Sequence, residues 1–321
     1  MEEVEFIKFG GRRYYGVELE VGNEVPINLI RDIIAVNSLV PVKTSFYRAT
    51  LNNYYWEVKH DGSCGKNVDK YGINEGGFEV SSYKAISIKD MLHICNIGRK
   101  LKQAGCQVNK NCGFHVHVDI SDFSIEQVGV LIGYWLCIEK NLMQSVPSTR
   151  KNNKFCNQLS KLRSKYHDSH LDPMRIWNHY KPISAKLHDN FDRRCAMNLV
   201  NYYRSLQLKT FKRPTVEFRF PEGTLVPNTI KNWIRIFVNF VNNIKNKKIE
   251  MTQIKTFDLK KTLEVLGLAS PDRFAILSPG LHESKLWLLR RIARYATYPS
   301  HDLVTQAKKM LDEMEVPHAF K

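Results

Sequence analysis

The sequence lacks several features that would place it in a specialised class of protein. No apolar run approaches the roughly 20 residues that cross a bilayer. The seven cysteines are scattered, odd in number and without a Cys-x-x-Cys pair, which argues against a disulfide framework. There is no internal repeat, and the opening MEEVEFIKF is acidic and lacks the apolar core of a secretion signal. Together these absences predict a cytoplasmic protein with no membrane partner.

What remains is the composition of a globular protein with a strong positive charge. The chain has 321 residues, of which 43% are hydrophobic and 25% charged, enough for one large or two ordinary domains. The formal net charge of +16 suits a polyanionic partner such as ATP, a nucleic acid or an acidic macromolecule. A generally basic surface would explain the charge equally well, because the basic residues are spread along the chain.

Residues 111–119, NCGFHVHVD, alternate in the manner of a β-strand. One face carries His115, His117 and Asp119, and the opposite face carries valines. Two histidines at positions i and i+2 after a Cys-Gly turn indicate a metal or catalytic site. A half-exposed strand would show the same pattern, so both interpretations stand at this point.

Four further predicted strands also carry polar residues at positions i and i+2. They present Glu18 with Glu20, then Glu57 with Lys59 and Asp61, then Glu79 with Ser81, and finally Glu217 with Arg219. One such strand is explained by a solvent-facing edge. Five are better explained by one sheet whose polar face is a site and whose other face packs on helices.

Apolar and amphipathic segments between these strands predict the helices. They cover 27–37, 87–104, 124–144 and 228–243, and the region 257–321 is predicted to be helical and basic. Residues 66–75 predict a loop, and the polar stretch 148–190 is a candidate lid over a site. Strands and helices in this arrangement predict an α+β fold.

The predicted polar face is rich in carboxylates, which crowd together only when cations offset their repulsion. The candidate donors are carboxylate oxygens with a little imidazole, which suits Mg²⁺ or Mn²⁺ better than a structural zinc ion. Carboxylate-held Mg²⁺ with an arginine nearby is what nucleotide phosphoryl transfer requires. The pattern therefore indicates ATP and Mg²⁺ or Mn²⁺ as cofactors.

Five motifs, taken in order, resemble those of a known family. They are GVELE at 16–20, WEVKHDGS at 56–63, GFEVSS at 77–82, CGFHVHVD at 112–119 and TVEFRFPEGT at 215–224. The set is similar to the predicted amidoligase family, a branch of the glutamine-synthetase-like carboxylate–amine ligases. The resemblance implies a curved antiparallel β-sheet funnel with helices packed on its outer face. We expect this catalytic domain to cover 1–250 and a helical, basic C-terminal extension to cover 251–321.

The resemblance also implies roles for individual residues. Glu18, Glu20 and Glu79 match metal ligands, and Glu79 is in addition a candidate catalytic residue. His115 and Glu217 match ligands of a second metal that faces the nucleotide phosphates. Arg219 matches the arginine that neutralises the transferred phosphoryl group.

Further positions are candidates for binding the nucleotide or for acid–base chemistry. His117, Arg150 and Asn198 match family positions near the nucleotide, and Lys59 is a candidate contact to phosphate or carboxylate. Asp61 ends a strand beside a turn and is the candidate base that deprotonates the incoming amine. The match is looser at 193–195, where the family pattern has an aromatic residue beside an arginine.

The implied reaction joins a carboxylate donor to an amine acceptor. ATP converts the carboxylate to an acyl phosphate, and the amine then displaces phosphate to give an amide. The expected partners are ATP, the donor and the acceptor, and the net charge of +16 adds a nucleic acid or acidic protein as a candidate carrier of the acceptor. A monomer or dimer is expected.

Three other interpretations remain open. The run His-x-His-x-Asp fits a dinuclear metal hydrolase, although the sixth position is Ile120 where that signature has histidine. A cupin-like barrel also uses two histidines, but it would need a glutamate where Ser121 stands. A basic nucleic-acid-associated protein suits the charge, yet the sequence has no recognition helix and no aromatic RNA-binding strand.

Overall fold

The computed structural model describes residues 13–22, 24–45, 54–64, 76–162, 171–182, 193–208, 213–250, 253–269, 277–296 and 301–315. Across these residues the chain forms seven strands and eleven helices, which confirms the predicted α+β class. It divides into two compact units, the first from 13–118 with 221–234 and the second from 119–220 with residues from 235 onward. The predicted loop 66–75 and much of the candidate lid lie outside the described residues, and the predicted boundary near residue 250 stays a prediction.

Five strands of the sheet organise the first unit. Its strands are β1 (Tyr15–Val21), β2 (Val42–Ser45), β3 (Trp56–Asp61), β4 (Gly77–Ser81) and β5 (Phe114–Asp119), in the order β2-β3-β4-β1-β5. All neighbours are antiparallel except β2 and β3, which are parallel. The sheet is therefore mixed, whereas the sequence predicted a wholly antiparallel one, because the short edge strand β2 was not foreseen.

Strand alternation separates the two faces of this sheet. Leu19, Val58 and Val80 lie on one face, because successive side chains of a strand point to opposite faces of the sheet. All three are fully buried. The helices of the unit are α1 (Ile27–Asn37) and α2 (Ile88–Gln103). Helix α2 begins with a capping box between Ser87 and Asp90 and ends before Gly105, which adopts a φ of 93° that favours glycine.

The second unit is mainly helical. Its strands β6 (Met197–Asn198) and β7 (Thr215–Phe218) pair antiparallel, and its helices are α3 (Ile125–Met143), α4 (Ser148–Lys151), α5 (Leu159–Leu162), α6 (Pro173–Tyr180), α7 (Val200–Gln207), α8 (Pro227–Ile244), α9 (Leu259–Val265), α10 (Pro279–Tyr295) and α11 (His301–Glu315). The unit boundary at 234 and 235 falls within α8. Aromatic rings fill the core, where Phe218 stacks on Phe237 with centroids 4.3 Å apart and Trp135 lies 5.4 Å from Phe218. Among the described helices, none is long and apolar enough to cross a membrane.

Helix α3 approaches α6 so closely that a glycine is required at the contact. A Cβ atom added at Gly129 would lie 1.9 Å from the carbonyl oxygen of Pro173, whereas one at Gly133 would lie 3.5 Å from Ile176 Cδ1. We expect Gly129→Ala to lower the free energy of unfolding by about 2–3 kcal/mol. Gly133→Ala, the control on the same helix, should leave stability within about 1 kcal/mol of the wild type. Urea denaturation measures both, and equal stability of the two variants would contradict this packing.

Candidate active site

Polar side chains of the first unit form two rows across the sheet. In the first row Glu57 pairs with Ser81, Ser81 with Glu18, and Glu18 with His115. In the second row Lys59 pairs with Glu79, and Glu79 pairs with Glu20. Residues directly opposite each other in an antiparallel pair point to the same face. The structure therefore brings together the predicted polar groups of β1, β3, β4 and β5 on one surface, which we call the acidic face.

Both histidines of the acidic face contact Glu18. His115 Nδ1 lies 2.8 Å from Glu18 Oε2, and His117 Nε2 lies 3.0 Å from Glu18 Oε1. The other ring nitrogen of His115 lies 3.4 Å from Glu20 Oε1. A His115 ring that is neutral donates from only one nitrogen, so in that protonation state one of these two carboxylates faces a lone pair. A cation between the ring and that carboxylate would remove the repulsion.

The remaining acidic groups are held by short polar contacts. Glu20 is buried and accepts a hydrogen bond from the backbone N–H of Gly113 at 2.5 Å. Glu79 accepts hydrogen bonds from Ser81 Oγ and pairs with the Lys59 ammonium, each at 2.7 Å. Such contacts fix the orientations of carboxylates before any ligand arrives, which is how a preformed ion site is built.

Glu57 completes the set at the β2 side of the sheet. Its carboxylate is buried and accepts a hydrogen bond from Ser45 Oγ at 2.7 Å. The acidic face thus carries four carboxylates, those of Glu18, Glu20, Glu57 and Glu79, beside the ammonium of Lys59.

The protonation of these groups responds to their crowding. Burial raises the pKa of Glu79 to about 7, and the negative charge of Glu18 adds to the effect, while Lys59 opposes it. Burial also raises the pKa of Glu18, but the charges and hydrogen bonds of His117 and His115 outweigh it and hold that pKa well below the usual range. Burial lowers the pKa of Lys59, yet the negative charges of Glu79 and Glu18 raise it overall. One ammonium is therefore shared among several carboxylates.

These residues fit a hard divalent cation. The donors are carboxylate oxygens and imidazole, and Lys59 does not offset the burial of Glu79 and the charge of Glu18, which together raise the pKa of Glu79 to about 7. Asp61, the candidate base, lies at the end of β3, where its Oδ1 accepts hydrogen bonds from the N–H and Oγ of Ser63. That contact fixes the carboxylate at the Asp-Gly turn, and its role as a base stays a prediction.

In the second unit Glu217 is the centre of a small polar network. It lies on β7, is buried, and accepts a hydrogen bond from Asn198 Nδ2 at 2.7 Å on the neighbouring strand β6. The Arg219 guanidinium forms an ion pair with the same carboxylate. The structure therefore brings Asn198, Glu217 and Arg219 together, as the sequence predicted for the last two.

Arg219 is predicted to lie on the same strand as Glu217, but strand β7 ends at Phe218 and Arg219 is the next residue. Its backbone N–H still donates to Ala196 at 2.8 Å, which continues the strand pairing by one bond. Its Nε donates to the carbonyl of Phe155 at 3.4 Å. Ion pairing with Glu217 and this bond hold the guanidinium at the strand end.

Arg150 was predicted to bind the nucleotide, and the structure places it inside the second unit. The side chain is only 2% exposed, and it donates hydrogen bonds to the carbonyls of Arg219 at 2.7 Å and Phe220 at 3.3 Å. These bonds support the main chain on which Arg219 stands. A direct contact between Arg150 and nucleotide stays a prediction.

Arg150→Lys is expected to lower the free energy of unfolding by on the order of 3 kcal/mol. Lysine cannot reproduce the planar guanidinium fork, so buried carbonyls lose donors and a buried ammonium is left poorly paired. Arg290→Lys, at an exposed position of α10, is the control and should be neutral. Guanidinium chloride titration measures both, and wild-type stability of Arg150→Lys would contradict the supporting role.

Three contacts of the candidate site could not be predicted from the sequence. Ser45 lies on a strand too short to show a period, and the Gly113 donor is a backbone group. Phe155 contacts two cations, with Lys154 Nζ 5.1 Å and Arg194 Cζ 5.2 Å from its ring centroid. Of the three, only the hydrogen bond from Gly113 to Glu20 had a sequence signal, which is the Cys-Gly turn before the histidines.

Comparison with known proteins gives two findings. The sequence model of a family described as "Putative amidoligase enzyme" matches residues 11–241. Among solved structures, a glutamine synthetase from Plasmodium falciparum is similar at 12% sequence identity and a TM-score of 0.36, over 94% of this chain and 72% of that one. No curated protein matches the sequence.

Proposed function

The chain belongs to the amidoligase family and is therefore a ligase, and we propose that it is an ATP-dependent carboxylate–amine ligase. Its product would be an amide or isopeptide bond, formed through an acyl phosphate. The single observation that carries the proposal is the acidic face, where four carboxylates, two histidines and one ammonium share one face of the sheet. A solvated strand edge has no reason to bury Glu20, Glu57 and Glu79 together.

In the proposal Glu18, Glu20, Glu79 and His115 hold Mg²⁺ or Mn²⁺. When bound, the metal supplies charge neutralisation for phosphate oxygens. The fixed contacts of Glu18 with His115 and of Glu20 with Gly113 orient the ligand oxygens in advance. Sharing of one metal by His115 and Glu217, which the resemblance implies, stays a prediction.

The proposed chemistry has two steps. A carboxylate oxygen of the donor attacks the γ-phosphorus of ATP, the bond to the bridging oxygen breaks, and ADP leaves. The amine nitrogen then attacks the acyl carbon, and phosphate leaves with the electron pair of the broken C–O bond. Arg219 neutralises charge on the transferring phosphoryl group, and Asp61 takes the proton from the amine. His117, Lys59 and Asn198 contact the nucleotide.

The proposal also covers the substrates, the cellular location and the oligomeric state. The donor and acceptor are a carboxylic acid and an amine, and the net charge of +16 supports an acceptor carried on an acidic macromolecule. We propose a cytoplasmic location and a monomer or dimer.

Nucleotide binding tests the proposal without knowledge of the substrates. ATP with Mg²⁺ should raise the melting temperature of the wild-type protein, and ATP alone should raise it less. Glu18→Gln should reduce the effect of Mg²⁺ because it removes a ligand and the partner of both histidines. A wild-type protein that gains no stability from ATP and Mg²⁺ together would exclude the ligase.

A further inference from the structure

Two groups of aromatic rings and cations lie at the surface of the second unit. In the first group, on the loop after α4, the Lys154 ammonium and the Arg194 guanidinium both lie over the Phe155 ring, as described above. The backbone N–H of Asn157 donates to the carbonyl of Arg194, and the carbonyl of Asn157 accepts from the N–H of Ala196, each at 2.7 Å. Lys154 is exposed, and Phe155 and Arg194 are half-buried. These main-chain bonds hold the loop, so the ring and its cations are fixed within reach of solvent.

The second group follows one side of helix α10. Trp287, Arg291 and Tyr295 are four positions apart and therefore lie one above the other on the helix. Arg291 Cζ lies 4.9 Å from the centroid of each of these two rings, and Arg294 Cζ lies 5.2 Å from that of Tyr295. The Nε of Arg291 donates to the carbonyl of Ser145 at 2.8 Å, which orients the guanidinium. Arg294 is exposed, and the other three residues of this group are half-buried.

Lys151 connects the two groups. It lies three positions before Lys154 in the chain, and its ammonium donates to the carbonyl of Tyr295 at 2.5 Å and to Gln144 Oε1 at 3.0 Å. The loop after α4 is thereby bonded to the end of α10. We call the two groups, together with Lys151, the basic–aromatic surface.

The positive charge of this surface is not offset by carboxylates of the neighbouring chain. From the start of α4 to the end of α5 the sequence has four basic residues and no acidic one. Helix α10 has one acidic residue, Glu283, which forms an ion pair with Arg235 at 2.7 Å. Within the described ranges, Lys154, Arg194 and Arg294 form no ion pair with a carboxylate. An anionic partner would therefore meet cations that need not give up an existing partner.

The rings beside these cations favour a single-stranded nucleic acid over an acidic protein. Proteins that bind single strands combine basic side chains along the backbone with aromatic rings on which the bases stack. Bases also stack on guanidinium planes, and only unpaired strands have bases that can be turned outward to do so. An acidic protein would use the cations and leave Phe155, Trp287 and Tyr295 without a role.

We propose that the basic–aromatic surface binds single-stranded nucleic acid, with phosphates on its cations and bases stacked on its rings. The surface is connected to the candidate active site, because the carbonyl of Phe155 accepts a hydrogen bond from Arg219 Nε at 3.4 Å. A strand bound at Phe155 would bring an acceptor that it carries towards Arg219. This delivery of the acceptor rests on the proposed function, whereas the binding itself does not.

The test measures binding of a fluorescent oligouridine of about 20 nucleotides by anisotropy, at low salt and without ATP or Mg²⁺. Tyr295→Leu removes a ring and no charge, and it should lower the affinity by about 5–100-fold. Arg294→Gln should lower the affinity and reduce the slope of log K against log salt by about 0.7, the value for one phosphate contact on a single strand.

Two matched controls should bind as the wild type does. Tyr14→Leu removes an exposed ring of the first unit that also lies under a cation, with Lys84 Nζ 3.9 Å from its centroid. Arg175→Gln removes an exposed arginine of α6. Melting temperatures close to that of the wild type establish that each variant is folded, and the exposed position of Arg294 keeps the test decisive if the ring variant does not fold.

Three results would overturn the proposal. The first is a wild-type protein that does not bind oligouridine at low salt. The second is equal affinity for oligouridine, for its duplex with oligoadenosine and for polyglutamate, since charge alone would then account for binding. The third is wild-type affinity in both Tyr295→Leu and Arg294→Gln. Because no ATP is present, each result leaves the proposed ligase to its own test by ATP and Mg²⁺.

Discussion

Arg219→Lys is expected to lower the rate of ATP-dependent amide formation by about 10³-fold or more. The guanidinium is oriented by Glu217 and by the Phe155 carbonyl, so its remaining donors are fixed in direction. A planar fork in a fixed position stabilises the developing charge on a phosphoryl group without reorganisation. Lysine keeps the charge but not the fork, and it cannot hold both contacts. The turnover number should therefore fall while the affinity for ATP changes less than about tenfold.

Steady-state ADP formation and ATP titration measure these two quantities. Arg175→Lys is the matched control, since Arg175 is an exposed arginine on α6 of the same unit. It should retain wild-type turnover. If Arg219→Lys keeps more than about a tenth of the turnover number, Arg219 does not stabilise the phosphoryl transfer.

Glu79→Gln is expected to stabilise the metal-free protein and to abolish its response to Mn²⁺. The folded-state pKa of Glu79 is raised from 4.5 to about 7, so ionising this carboxylate opposes folding. The stability it contributes is full below pH 4.5 and is lost as pH rises through about 7. A glutamine does not ionise, so the variant escapes this loss.

The size of the effect follows from the same shift. A change from 4.5 to about 7 corresponds to on the order of 3 kcal/mol at pH 8.5, or roughly 4–5 °C in melting temperature. The difference between variant and wild type should be small at pH 5 and grow between pH 5 and 8. In the presence of Mn²⁺ the wild type should be more stable than the variant, because Mn²⁺ binds to the folded wild type and not to the variant.

Glu139→Gln is the control for the effect of removing a buried carboxylate. Glu139 is buried in the second unit and accepts hydrogen bonds from Trp135 and from the backbone N–H groups of Leu159 and Ser160. Its substitution should leave the response to Mn²⁺ unchanged, because Glu139 has no place on the acidic face. Scanning calorimetry with and without Mn²⁺ measures all three proteins. A Mn²⁺ response that survives in Glu79→Gln would remove Glu79 from the metal site.

The polar rows of the acidic face could be predicted because strand alternation is a local property. Two residues that are two positions apart on one strand point to the same face of the sheet. This applies to Glu18 with Glu20 and to His115 with His117. The starts of α2 and α3 could also be predicted, since Ser87 and Ser124 each form a capping box with the residue three positions on. These features need only neighbours in sequence.

Other features depend on distant contacts and could not be predicted. Strand β2 has four residues, and its parallel pairing with β3 depends on where the intervening chain returns. The burial of Arg150 depends on carbonyls some 70 positions away in the sequence.

Release of ADP from ATP and Mg²⁺, with a panel of carboxylic acids and amines, tests the proposed ligase most directly. We expect ADP formation that requires both an acid and an amine, and that is lost in Glu217→Ala and in His115→Ala. Folded variants, verified by circular dichroism, exclude loss through unfolding. ADP formation that is independent of acid and amine, or that persists in both variants, would contradict a carboxylate–amine ligase at these residues.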